Sequence, residues 1–109
     1  MMNINTVLNL TPHVLTIVLE DGNKIEIKPS GLIPRVSVKT VRIGEVNNIP
    51  LFRNEYGNVV DLPDPVDGTL YVVSGLLKSA CPDRSDLVVP AKQIRDDQGR
   101  IIGCEGLAF

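Results

Sequence analysis

The feature that most limits what this chain can fold into is its punctuation: eight prolines and nine glycines fall between short runs rich in Val, Ile and Leu. Proline lacks the amide donor that a helix interior needs, and glycine loses much backbone entropy there, so interruptions this frequent suit short strands better than long helices. Residue type points the same way, since the runs are dominated by β-branched side chains. A mainly β fold, α+β at the margin, is therefore expected, as a small antiparallel sheet, a sandwich or a partly open barrel with one short helix. At 109 residues a second core would leave each half near the size at which folding alone becomes marginal, so residues 1–109 read as a single domain.

Several elements can be placed. Val14–Glu20 and Lys24–Lys28 flank Asp21-Gly22-Asn23, a hairpin signal. A two-residue loop would set Ile17 against Glu26 and Leu15 against Lys28, mixing apolar and charged side chains on one face. A three-residue loop, Asp21 to Asn23, instead sets Leu19 against Ile25 and Ile17 against Ile27 inside, with Glu20 against Lys24 and Thr16 against Lys28 outside, and is the expected register. Pro29-Ser30-Gly31 and Pro34 mark a bend before a strand at Arg35–Lys39 with Val36 and Val38 facing in, and the apolar phase changes near Thr40, where a bulge or a change of sheet is expected.

Ile49–Arg53 and Asn58–Leu62 read as a second hairpin around Glu55-Tyr56-Gly57, with Pro50 marking an edge strand, and Leu62–Gly68 as a surface loop. Thr69–Ser74 has almost no polar alternation, the pattern of a strand covered on both faces, so it is the expected centre of the fold. Ser74 offers a helix N-cap for Gly75–Cys81, with Leu76, Leu77 and Ala80 on the packed side and Pro82 as the stop. Leu87–Pro90 is a further strand. Lys92–Arg95 and Arg100–Gly103 form an expected terminal hairpin around Asp96-Asp97-Gln98-Gly99.

Composition narrows the chemistry. Hydrophobic residues at 43% and charged residues at 22% are enough of each for a folded chain rather than a disordered one. A net charge of −2 lacks the positive field that sequence-independent binding to a nucleic-acid polymer requires. The opening Met1 to Thr6 has neither the basic start nor the apolar stretch of a secretory signal, and no apolar run nears the roughly 20 residues of a membrane span, so a cytoplasmic location without membrane contact is expected. The two cysteines, Cys81 and Cys104, lack the paired spacing of a zinc or redox motif and read as reduced packing residues. With one histidine and no glycine-rich phosphate loop, no metal and no cofactor are expected.

The residues left to recognise a ligand are few. His13, the single histidine, follows Pro12 and precedes a strand, with Asn9 and Thr11 adding polar capacity nearby. It either hydrogen-bonds its own turn or contacts a ligand, and no fixed nucleophile stands beside it in the sequence. Arg84 and Asp86, in Asp83-Arg84-Ser85-Asp86, sit in a short connection between the expected helix and a strand, where they pair with each other or present a guanidinium to an anion. Arg35 either stands as a solvated strand end or joins a turn whose free backbone N–H groups suit an anion. Arg95 and Arg100 repel if they face each other across the terminal hairpin, unless Asp96 and Asp97 or an anion relieve them. The candidate ligand-binding set is His13, Arg35, Arg84, Asp86 and Arg95, with no catalytic residue among them.

Taken together, Asn9-Leu10-Thr11-Pro12-His13, Pro29-Ser30-Gly31 with Arg35, Tyr71-Val72-Val73-Ser74, Arg84-x-Asp86 and Gly99-Arg100-Ile101-Ile102-Gly103-Cys104 resemble a family of small phage and prophage proteins. The likeness runs over nearly the whole chain, and the N-terminal pentapeptide is its most distinctive element. It implies a viral origin, the bacterial cytoplasm as workplace, and a counter-defence role as a non-enzymatic sponge for an anionic nucleotide-derived immune signal, a cyclic nucleotide or an ADP-ribose derivative. The alternatives are a small nucleotide-degrading hydrolase using His13 with Asp86, and a virion or host-protein-binding component acting through an exposed strand. Self-association, with a homodimer first, is expected because a small sheet leaves edges and because enclosing a charged ligand takes more than one surface.

Overall fold

The computed structural model describes residues 4–109; Met1, Met2 and Asn3, on which part of the leader reading rests, lie outside the described residues. Eight strands and one helix follow in the order β1 (Thr6–Asn9), β2 (Leu15–Val18), β3 (Lys24–Ile27), β4 (Arg35–Val46), β5 (Ile49–Val60), β6 (Thr69–Val72), α1 (Gly75–Ala80), β7 (Leu87–Arg95) and β8 (Ile101–Ala108). The fold is mainly β with one short helix, as the punctuation predicts. Six strands make one sheet in the order β1-β6-β7-β8-β2-β3, while β4 and β5 pair only with each other. A bridge between Asn9 and Pro29, where the Ser30 amide donates to the Asn9 carbonyl at 2.9 Å, joins the two edges of the six-stranded sheet into a nearly closed barrel.

Pairing is antiparallel in the hairpins β2–β3, β4–β5 and β7–β8, and parallel between β1 and β6, β6 and β7, and β2 and β8. A parallel partner needs a crossover of about a dozen residues or more, and between β6 and β7 the segment holding α1 supplies it. The helix begins where Ser74 caps it, its hydroxyl accepting from the Leu77 amide at 3.2 Å, and ends at Cys81 just ahead of Pro82. Leu77 is buried, but Leu76 is exposed, contrary to the expected packed side.

β6, between β1 and β7 in the strand order, is the most buried strand and is covered on both faces. Side chains of β6 and of Val73, which follows it, alternate between two apolar clusters: Tyr71 and Val73 join Leu10, Leu77 and Leu87 under the helix, while Val72 joins Leu15, Ile17, Val88 and Cys104 on the other side. Tyr71, Val72 and Val73 are 2%, 0% and 0% exposed, which is why the segment carries no polar alternation. Short β1 beside it is not foreseen from the sequence, because polar Asn5, Thr6 and Asn9 mask its two apolar positions.

The first hairpin forms in a different register from the one expected. Ile17 faces Ile25 and Leu15 faces Ile27, two residues out of step with the Leu19/Ile25 and Ile17/Ile27 pairs. The loop has three residues, but they are Glu20-Asp21-Gly22: the Leu19 amide donates to the Asn23 carbonyl at 2.7 Å and the Gly22 amide to the Leu19 carbonyl at 2.9 Å. A three-residue hairpin loop wants its third residue left-handed, and Gly22, at φ +88°, meets that demand better than Asn23. The slip by two keeps each side chain on its face but moves the pairs along it, so Ile17 is buried and Ile27 half-buried while Leu19 and Ile25 are exposed.

The second expected hairpin, around Glu55-Tyr56-Gly57, does not exist. β5 runs unbroken from Ile49 to Val60 and pairs along its length with β4, and the reversal lies at Asn47-Asn48, whose φ values of 50° and 65° are those of a two-residue type I′ turn. Two asparagines supply by side-chain chemistry what the sequence reading sought in glycine. The phase change expected near Thr40 resolves into two register shifts, one between Val36 and Val38 and one between Arg42 and Gly44. The result is a long arm, anchored on the barrel by half-buried Val36 and Val59. It stretches the molecule to 52 × 39 × 28 Å, with a radius of gyration of 16.7 Å where a compact chain of this size has about 13 Å.

In the last hairpin β7 runs continuously from Leu87 to Arg95, merging two expected strands, and pairs with β8 as far as Ala108.

Candidate functional site

The pentapeptide Asn9-Leu10-Thr11-Pro12-His13 is first of all the device that closes the barrel. The buried Asn9 side chain donates to the His13 carbonyl at 2.7 Å and the Ile27 carbonyl at 3.0 Å, and accepts from the Thr11 amide at 2.9 Å and the Thr11 hydroxyl at 2.6 Å. Two donors and two acceptors saturate an asparagine amide. Leu10 enters the core beside Tyr71. The polar capacity credited to Asn9 and Thr11 for a ligand is therefore consumed within the fold. What the motif leaves outward is His13, whose own carbonyl is engaged while its ring stands exposed.

That ring borders an open cavity of about 620 Å³ between the β1–β2 loop, the start of α1 and the β7–β8 hairpin. Val14, Ile101 and Ile102 supply an apolar wall, while His13, Ser74 and Gln93 stand among the polar lining residues. Ile101 and Ile102 are 53% and 56% exposed, an unusual concentration of aliphatic surface at one edge. Cys104 lies in the wall but is buried, its thiol donating to the Thr16 carbonyl at 3.6 Å, and both cysteines are free.

The other expected site residues do not converge on this cavity. Arg84 and Asp86 precede β7, away from the His13 end of the barrel, and form a closed pair: Nε donates to Oδ1 at 2.9 Å and Nη2 to Oδ2 at 2.8 Å, with Nη2 also donating to the Pro63 carbonyl at 2.9 Å. Both side chains are mostly shielded from solvent, and the hydrogen bond from Arg84 holds the Asp86 carboxyl below the ordinary range against the opposing pull of burial. Asp86 is thus spent on Arg84, and no His13–Asp86 dyad forms. Arg35 is exposed at the base of the arm, opposite Val60.

Arg95 lies nearer. It follows Gln93 by two residues on β7, pairs across the ladder with Ile101, and donates from Nη1 to the Gly99 carbonyl at 2.8 Å. Arg100 does not face it. The Arg100 guanidinium and amide both donate to Asp96 at 2.9 Å, and the amides of Arg100 and Gln98 with that guanidinium hold the half-buried Asp96 carboxyl below its usual range. The repulsion expected between the two arginines is avoided by register and by Asp96.

Sequence reading missed Gln93, Ser74, Val14 and the Ile101-Ile102 pair as cavity walls. Adjacent isoleucines at the mouth of a hairpin, both unable to face inward, were the one available signal. Among the described residues, no helix is long and apolar enough to cross a membrane and no three metal-ligating side chains cluster. Comparison with protein-family models, curated proteins and solved structures finds no match.

Proposed function

We propose that this chain is a phage-derived, non-enzymatic binding protein that sequesters a small anionic nucleotide derivative, of the cyclic-nucleotide or ADP-ribose class, in the His13 cavity and so blunts bacterial anti-phage defence. The observation that carries the reading is the cavity itself. At about 620 Å³ it lies within the range of small-molecule sites, and its aliphatic wall with a few polar groups is the usual composition of such sites. In this reading the isoleucines take the face of a base, and His13 and Gln93 its polar edges. Arg95, on the hairpin that walls the cavity, supplies positive charge for phosphate, while Arg100 is held by Asp96. Arg84 and Asp86 act in the fold rather than on the ligand, because their hydrogen-bonding capacity is directed at each other.

Holding without cleaving is favoured by what surrounds the two groups best able to react. The Cys104 thiol is buried and directed at a carbonyl, and the carboxylate expected to orient His13 is bound elsewhere. The test is native mass spectrometry of the protein after incubation with deproteinised lysate from infected, defence-active cells. A retained small mass, released unchanged by heat, is the expected result; His13→Ala should weaken it by about 1–2 kcal/mol and Arg95→Ala by about 1.5–3. Release of a cleaved product makes the protein a hydrolase, and capture of no small molecule ends the proposal.

A further inference from the structure

None of the residues bordering the His13 cavity is an aspartate, a glutamate, a lysine or an arginine. The Thr11 hydroxyl is turned to Asn9, and the Ser74 oxygen accepts from the Leu77 amide, which leaves the Ser74 proton, the His13 ring and the Gln93 amide to meet a ligand. Fixed charge begins farther out. Arg95 follows Gln93 by two positions on β7, so the two side chains share a face about 7 Å apart. The Arg95 guanidinium rests on the Gly99 carbonyl, a neutral acceptor, at 2.8 Å, and no carboxylate among the described residues pairs with it. The turn from Arg95 to Arg100 holds two arginines and two aspartates and is neutral as a whole: Asp96 cancels Arg100 at 2.9 Å, and Asp97 offsets Arg95 at longer range. The other nearby cations stand elsewhere, Lys78 in the last turn of α1 and Lys92 with Glu20 and Glu105 around a separate pocket.

Resting on the reading of this cavity as the site of an anionic nucleotide derivative, we propose that it selects ligands bearing a single negative charge. A cyclic mononucleotide, with one phosphodiester, is then its class, whereas ADP-ribose and cyclic dinucleotides, each with two charges, are not. One free guanidinium matches one phosphate. A second phosphate would enter a region without surplus positive charge, between the aliphatic wall of Ile101 and Ile102 and the Asp97 carboxylate, and would lose hydration there with no charge-assisted bond in return. The base gains the isoleucine surface and the Gln93 amide whatever the number of phosphates, so the charge inventory sets the preference among ligands that share a base.

The test titrates three adenine ligands that differ in charge, cyclic AMP, ADP-ribose and cyclic di-AMP, into the full chain by calorimetry at neutral pH and physiological salt. Cyclic AMP should bind at least about 10-fold more tightly than either of the others. His13→Lys adds a cation at an exposed position on the cavity's border without touching the core, and should shift the ratio of affinities toward ADP-ribose by about 3- to 10-fold, the effect of one charge about 6 Å from a phosphate in a wet site. Gln93→Leu should weaken all three ligands alike and leave the ratio where it was. Equal or tighter binding of ADP-ribose or cyclic di-AMP, a ratio unmoved by His13→Lys, or failure of cyclic AMP to bind overturns the proposal. The mass captured from lysate separates this failure from that of the wider reading: a retained nucleotide with two or more negative charges removes the single-charge selection alone, whereas the absence of any retained nucleotide removes sequestration itself.

Discussion

The barrel and the arm are made of the same kinds of residue and meet opposite fates. In β6 and just past its end, Tyr71, Val72 and Val73 are sealed between two apolar clusters, whereas in β5, three times as long as β6, every residue but Val59 is exposed. The difference teaches that aliphatic β-branched runs specify a strand but not its cover. In the barrel the cover is local to the chain, from the helix on one side and the far wall on the other. On the arm nothing in the protomer beyond the base supplies it, and the arm's order rests on its ladder and its Asn47-Asn48 turn.

The contrast can be broken by measurement. Leu87→Ala in the barrel should cost about 2–5 kcal/mol in urea unfolding, since its cavity opens beside Tyr71 where nothing can collapse into it, whereas Ile43→Ala on the arm should stay within about 0.5. Equal losses would mean that arm and barrel are one core. Asn9→Ala should cost about 2–4 kcal/mol, because it strands the Ile27 carbonyl and the Thr11 amide and takes one of two donors from the His13 carbonyl, while Thr40→Ala, which loses an exposed hydrogen bond to Asn54, should be nearly silent.

A third effect depends on pH. Asp86 has a folded pKa below its unfolded value, so the unfolded chain binds more protons through that window; its stabilisation is full above the ordinary aspartate range near 4 and is lost as pH falls through the lower, folded value. Asp86→Asn should therefore remove about 1–3 kcal/mol at neutral pH and flatten the acid limb of stability against pH. An unchanged acid limb would show that the Arg84 pair contributes nothing. The smallest effect is expected at the arm's tip, where Asn48→Gly relieves a left-handed residue and should raise the arm's amide-exchange protection by a few tenths of a kcal/mol, with no change in the barrel.

Much of the fold is legible in the residues. β6 shows itself by lacking alternation, α1 by Ser74 and Pro82, and the outer hairpins by their glycine-bearing turns. What escapes is what depends on partners distant in sequence. The parallel pairings leave no local mark, and the Asn47-Asn48 turn is hidden because asparagine is a common surface residue as well as a left-handed one. The first hairpin's register turns on which of three adjacent residues takes φ above zero, a choice that two-face patterning cannot make because a slip of two preserves every face. Of the candidate site, His13 and the neighbouring Arg95 are legible as exposed polar groups near turns. Arg84 and Asp86 are equally visible, but only geometry reveals that they satisfy each other.

The place of β8 has a consequence for when the protein can fold. It lies between β7 and β2, deep in the strand order, and joins Ile17 to Cys104. A chain emerging from the ribosome can form the first hairpin and the arm early, since both close over short stretches, but the barrel wall stays open until residues through Ala108 are free to insert. Until that moment Leu15, Ile17, Val72 and Val88 lack one side of their enclosure. Closure of the barrel is therefore a single event that waits for β8, and nascent chains halted before β8 should remain sensitive to protease throughout the barrel while chains that include it resist.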